Sequence, residues 1–213
     1  MKRRTLSNIL SVLVVAIILG GVYFSYTWMH RPKQPSTHPP TISKSSIDGT
    51  KKTTKQKAEY TVPADHPREL SIAKLGIDAN ILPVGLLAGS VLDAPKTAWD
   101  VGWYNQSSLP GADSGALLID GHVNDELSQP GVFYSIGSLK SGDEIKVERG
   151  DRQLLTYKVV TVEQKPTDQV DMAKLLASAT PGKQGLNLIT CGGTYNYQKK
   201  SYTDRVLVYA VLS

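Results

Sequence analysis

The chain has 213 residues, a single cysteine and a formal net charge of +5. One thiol excludes an intrachain disulfide framework, and the charge is unevenly divided: residues 1–60 carry ten Lys or Arg against two acids, residues 61–213 fourteen against seventeen. The basic excess therefore belongs to the N-terminal part, where anionic headgroups or wall polymers are its natural partners, and no basic stripe with interleaved aromatics marks a nucleic-acid surface.

Met1-Lys2-Arg3-Arg4 precedes an apolar stretch from Leu6 to Tyr26, with Tyr23, Phe24, Tyr26 and Trp28 at its far end. About 20 apolar residues span a bilayer as a helix, basic residues stay on the cytoplasmic side, and aromatic side chains favour the interface. Residues 1–5 are expected to be a cytoplasmic tail and 6–28 an uncleaved transmembrane anchor, with the remainder outside the cell. A cleaved signal peptide is the rival reading, but no small-x-small cleavage site follows the apolar run.

Residues 29–60 change character. Pro32, Pro35, Pro39 and Pro40 are followed by Ser, Thr and Lys without periodic apolar positions, and such a segment buries too little surface to offset its ordering entropy. It is expected to be an extended, disordered tether.

Residues 61–213 form the folded domain, large enough to build a core without disulfides. Its apolar signals are short and β-like: Leu70–Leu75, Ala79–Val84, Ala116–Ile119, Ile145–Glu148, Leu154–Val162, Leu186–Thr190 and Val206–Leu212. Turn signals separate them, among them Pro110-Gly111, Ser141-Gly142-Asp143 and Pro181-Gly182. Seven or eight short strands predict an all-β sandwich or closed barrel. Two segments read as short helices, Val132–Leu139 and Asp168–Ala177, the second capped by Asp168.

Three polar residues stand at strand ends. Ala116–Ile119 runs into Asp120-Gly121-His122, Leu186–Thr190 ends in Cys191-Gly192-Gly193, and Arg205 begins the last strand. Antiparallel pairing of the last two strands brings Cys191 beside Arg205. His122 reaches the same edge if its strand runs parallel to that of Cys191. A thiolate with a histidine proton carrier can attack a carbonyl and protonate the departing amine, while an arginine offers fixed donors to a developing oxyanion. Gly192–Asp204 reads as a long loop, with Tyr195 and Tyr197 as a wall of a substrate groove.

No Cys/His cluster is spaced for zinc, and neither metal nor cofactor is expected. Asp113, Asp120, Asp125 and Glu126 lack the spacing of a calcium loop and read as solvated surface acids. A noncatalytic tethered β-barrel, serving as an adhesin or wall-binding module with Cys191 merely buried, remains the alternative of a different class.

Gly121-His122, Leu188-Ile189-Thr190-Cys191 and Tyr202-Thr203-Asp204-Arg205 resemble the signature of the sortases, membrane-anchored cysteine transpeptidases of Gram-positive cell surfaces. The resemblance covers roughly Pro63 to Ser213. Gly102-Trp103-Tyr104, Pro110-Gly111, Gly121-His122-Val123 and Thr190-Cys191-Gly192-Gly193 are most similar to the class F group. It implies an eight-stranded β-barrel with one or two short helices. It also implies Cys191 as nucleophile on an LPxTG-like sorting signal, His122 as general acid and base, and Arg205 as the holder of the substrate carbonyl. Thr190 and Gly192 would shape the oxyanion and substrate site beside Tyr195 and Tyr197. An amine on a cell-wall precursor or another protein would resolve the thioacyl intermediate. One departure stands out: the family's T-L-x-T-C opens with Thr, and this chain has Asn187 there. Papain-like amidases place Cys before His, and the Ser-His-Gly-Cys signature of L,D-transpeptidases is absent, so both rivals fit poorly.

Overall fold

The computed structural model describes residues 47–88 and 91–213. The expected anchor at 6–28 and the tether as far as residue 46 lie outside the described residues. Among the described residues no helix is long and apolar enough to cross a membrane.

Alternation of inward apolar and outward polar positions closes eight strands into a barrel. They are β1 (Pro67–Ile72), β2 (Ile77–Val84), β5 (Val101–Tyr104), β6 (Ala116–Gly121), β7 (Glu144–Arg149), β8 (Leu154–Pro166), β9 (Gly185–Asn196) and β10 (Ser201–Leu212). The order around the barrel is β1-β2-β5-β6-β9-β10-β8-β7, and β7 pairs back onto β1. The β2/β5 and β6/β9 pairs are parallel and the others antiparallel. A small hairpin of β3 (Leu86–Leu87) and β4 (Val91–Leu92) stands apart from the barrel sheet.

Leu70, Ile72, Ile81, Leu117, Ile119, Ile145, Leu186, Leu188 and Val208 meet in the main core. A second cluster of Tyr104, Leu118, Leu175, Leu207 and Tyr209 lies on the outside, beneath α2 (Met172–Leu176). The central strand β6 is thus buried on both faces, which explains its unbroken apolar run Ala116–Ile119.

Several local expectations are corrected. Val132–Leu139 is not a helix beyond a 3-10 turn at Ile136–Ser138. The amides of Tyr134, Ile136, Ser138 and Leu139 donate to carbonyls three residues back, so the segment closes as tight turns rather than as an α-helix. In the second helical segment, Asp171 is the cap, accepting from Ala173 N–H, and Thr167–Gln169 forms a separate 3-10 turn. Gly192–Asp204 is a hairpin rather than a long loop, because β9 runs to Asn196 and β10 begins at Ser201. The ladder absorbs a bulge between Tyr202 and Asp204, where Gly193 takes φ +74°, a left-handed conformation that glycine adopts without strain.

The largest correction concerns residues 47–60, expected to belong to the tether. They lie along the outside of the barrel although they are poor in apolar residues, because polar and charged contacts hold them. Asp48 N–H bonds Lys96 O and Ala98 N–H bonds Asp48 O, both at 2.8 Å, while Trp99 Nε1–H donates to Gly49 O at 2.7 Å. Lys51 Nζ stacks 3.8 Å over the Trp99 ring, and Lys52 pairs with the buried Asp100 at 2.7 Å. The helix α1 (Thr54–Glu59) starts with a reciprocal capping box between Thr53 and Gln56. Tyr60 Oη then donates to Ile81 O at 2.7 Å, and the buried Arg68 donates to Lys57 O and Tyr60 O.

Candidate active site

The site is built by register. β10 runs antiparallel to β9 with Arg205 directly opposite Cys191. β6 runs parallel to β9 with Asp120 opposite Ile189, and two more residues along that register bring His122 level with Cys191. His122, Cys191 and Arg205 therefore form one row across three neighbouring strand ends, with the strand directions expected from the sequence. Ile189, two residues before Cys191, packs against the outer cluster under α2, so the row lies on the outer face of the barrel.

His122 Nε2 sits 2.6 Å from Pro95 O. A carbonyl can only accept, so Nε2 carries the proton and Nδ1 keeps the lone pair that a general base needs. Cys191 is a free, half-buried thiol. Burial pushes its pKa up, the Arg205 guanidinium pulls it down, and Asp120 pushes it up again. Arg205 is held through Nη1, which donates to Asp204 O at 2.8 Å, Thr167 Oγ1 at 3.1 Å and Tyr202 O at 3.4 Å. Among the described residues its Nε and Nη2 make no hydrogen bond and remain free to donate to a ligand.

Thr190 is buried, and its hydroxyl donates to Gly121 O at 2.7 Å. It therefore staples the end of β6 to β9 and fixes the spacing of His122 from Cys191. Asn187, at the position of the family's Thr, is fully buried and donates through Nδ2 to Leu175 O at 2.8 Å and Ala177 O at 2.9 Å. The substituted position thus ties α2 to the barrel and lines neither of the two clefts at Cys191.

Cys191 stands between two clefts. One, of about 720 Å³, includes Ile47, His122, Glu126, Tyr195, Tyr197 and Tyr202 in its lining. The other, of about 360 Å³, includes Phe133, Tyr134, Gln164, Thr190 and Gly192. Tyr195 is the centre of an aromatic group, with its ring 5.1 Å from Tyr197 and 5.2 Å from Tyr202, both edge-on. Tyr202 has a raised pKa, from burial first and the Cys191 charge second.

Of the acids read as solvated, Asp125 is a turn cap that accepts the Leu127 and Gln129 amides. Asp120 is corrected: it is half-buried rather than fully solvated, and desolvation pushes its carboxyl up to about 7, with the Gly121 amide and Arg205 pulling the other way. A carboxylate placed directly after four buried apolar residues was the sequence signal for it. Pro95 O and Ile47 carried no such signal, because each enters the site through tertiary placement. Among the described residues no group of three or more His, Cys, Asp or Glu is placed to hold a metal ion.

The family model for the Sortase domain matches residues 70–213. Similar solved structures include the pilus-related sortase C of Group B Streptococcus, at 21% identity over 72% of this chain and 70% of that one, with a TM-score of 0.53. Sortase C-1 from Actinomyces oris is 24% identical over 68% of this chain and 72% of its own, with a TM-score of 0.51. The SrtA sortase from Actinomyces oris is 23% identical over 72% and 83%, with a TM-score of 0.52. At these identities the likeness is one of fold. No match to a curated protein was found.

Proposed function

The chain belongs to the sortase family of cysteine transpeptidases, and from that premise we propose that it cleaves an LPxTG-like sorting signal between Thr and Gly. His122 takes the proton of the Cys191 thiol, and the thiolate attacks the Thr carbonyl carbon, forming an S–C bond while the carbonyl electrons move onto oxygen. Arg205, through its free Nε and Nη2, donates to that oxygen. Collapse of the adduct breaks the C–N bond, and His122 delivers the proton that the Gly amine needs to leave. An acceptor amine on a cell-wall precursor or another surface protein then attacks the thioacyl carbon, gives up its proton to His122 and releases Cys191. Water in place of the amine makes the same site an endopeptidase of hydrolase type.

The observation that carries this reading is the single row of His122, Cys191 and Arg205, with Arg205 in register with Cys191. The two clefts that meet at Cys191 suit a reaction in which one partner leaves and another enters. Thr190, Gly192, Tyr195 and Tyr197 supply the groove for the sorting signal. The motifs around Trp103, Pro110, His122 and Cys191 support a class F assignment within the family. Residues 6–28 hold the enzyme in the cell membrane as a single-pass anchor with the barrel outside, as the basic start and aromatic far end of that segment support. The upstream part of the 29–60 segment acts as spacer.

Mass spectrometry of the full chain incubated with a panel of LPxTG-type peptides should show an acyl adduct on Cys191. In Cys191→Ala the adduct and peptide cleavage should both vanish while circular dichroism stays unchanged, since the substitution removes little from a strand end. Cleavage persisting in that variant would refute the assignment.

A further inference from the structure

We propose that Asp120 is a positioning residue for the transfer reaction: from beneath the row of His122, Cys191 and Arg205, its carboxyl sets how readily the Cys191 thiol ionises. This rests on the reading of Cys191 as the nucleophile.

The placement comes from the ladder. Asp120 pairs with Ile189, whose side chain shares a face with Cys191 two residues on, so Asp120 and Cys191 are diagonal neighbours on one face of the β6/β9 pair. Its antiparallel partner on β5 is Gly102, which has no side chain to interpose. A Cβ there would meet Val84 Cγ1 at 2.9 Å and Pro95 Cδ at 3.2 Å, so these two residues close over the strand from that side. Pro95 is also the residue whose carbonyl fixes His122. Asp120 therefore lies among the same elements that hold the catalytic row.

The charged and titratable groups acting on it are Arg205 from β10, Asp93 from the segment after β4 and Cys191 from β9, and His122 stands two residues on at the end of the same strand. Desolvation and Asp93 favour the neutral carboxyl, and Arg205 favours the ionised one. Arg205 is thus shared. While Asp120 is neutral, the guanidinium favours the thiolate without opposition. Once Asp120 ionises, its negative charge opposes a second one on Cys191. With the carboxyl titrating at about 7, the change falls in the neutral range, and thiol and carboxyl lose their protons as a coupled pair.

The test measures the rate of Cys191 alkylation by iodoacetamide between pH 5 and 10 in the full chain, with adducts quantified by mass spectrometry. Asp120→Asn, which keeps shape and removes charge, should move the alkylation midpoint down by half a pH unit or more. That amounts to about threefold more thiolate between about pH 7, where the wild-type carboxyl ionises, and the midpoint. Asp120→Ala should do the same, and Asp120→Glu should retain the wild-type midpoint. A wild-type midpoint in Asp120→Asn would overturn the proposal, as would equal shifts in the Asn and Glu variants, since both would mark the side chain as structural only. Alkylation needs no sorting peptide, so failure to form an acyl adduct refutes the transpeptidase reading while leaving this measurement interpretable.

Discussion

Arg205 stands opposite Cys191 in the β9/β10 ladder, and only one of its guanidinium nitrogens is engaged. Nη1 anchors the head to Thr167 and to two carbonyls, which leaves a planar fork aimed by its own tether. A lysine offers a point charge on a flexible stem and cannot be anchored and donate in a fixed direction at once. Arg205→Lys should therefore keep the fold and lower kcat/KM by about 10²-fold, the usual cost of one oxyanion donor. Steady-state cleavage of a sorting peptide measures this, and full activity would reduce Arg205 to a surface charge. Cys191, His122 and Arg205 were legible in the sequence because each ends or begins an apolar strand, so that pairing rules alone bring them together. Asp120 was misread because a carboxylate is normally solvated, and its half-buried place beside Gly102, Arg205 and Cys191 comes from strand pairing that the spacing of acids does not reveal. The proton on His122 Nε2 was also beyond the sequence, since it depends on a carbonyl 27 residues upstream.

Strands with a strong apolar pattern were placed well, and short or polar elements were not. β5 was missed because its four residues include Gly102 and its burial comes from neighbours on both sides. The β9/β10 hairpin was read as a loop because Thr, Tyr, Asn and Ser beyond Cys191 have no buried face to impose alternation. Helix α2 was expected, but its cap was displaced by three residues because Asp168 and Asp171 satisfy the same local rule. With five residues, α2 cannot persist on helical propensity alone. It is held by Leu175 packing in the outer cluster and by the two hydrogen bonds from Asn187 to its last turn. Asn187→Ala removes both donors and leaves carbonyl groups unpaired near a buried position, a loss of about 2 kcal/mol. For a domain of this size that corresponds to a drop in Tm of roughly 4–8 °C. Calorimetry should show the drop, with kcat/KM retained at temperatures where the variant is folded. An unchanged Tm would mean that Leu175 packing alone seats the helix.

At the scale of the whole molecule, the segment 47–60 changes what the domain is. The fold cannot be drawn from residue 61 onward, because residues 47–60 are clamped on β2 and on residues 96–100, and Ile47 is in the lining of the larger cleft. Composition hid this, since a stretch of Lys and Thr has no core-forming pattern, and what binds it is complementary charge and backbone pairing supplied by residues 96–100. Trp99 is the pivot: its indole N–H holds Gly49 O and its ring carries Lys51. Trp99→Ala in the full chain should remove a hydrogen bond and a cation–π contact, together about 1–2 kcal/mol of local stability. Contacts of Lys57, Tyr60 and Arg68 would still hold the far end, so the loss should appear as local opening rather than unfolding. Hydrogen exchange should accelerate about tenfold at the amides of Asp48 and Ala98, with β9 and β10 unchanged. Because Ile47 would then leave the cleft, KM for a sorting peptide should rise more than kcat falls. Exchange at Asp48 and Ala98 as slow as in the wild type would show that Trp99 does not hold the segment, and faster exchange with an unchanged KM would show that the cleft binds its peptide without Ile47.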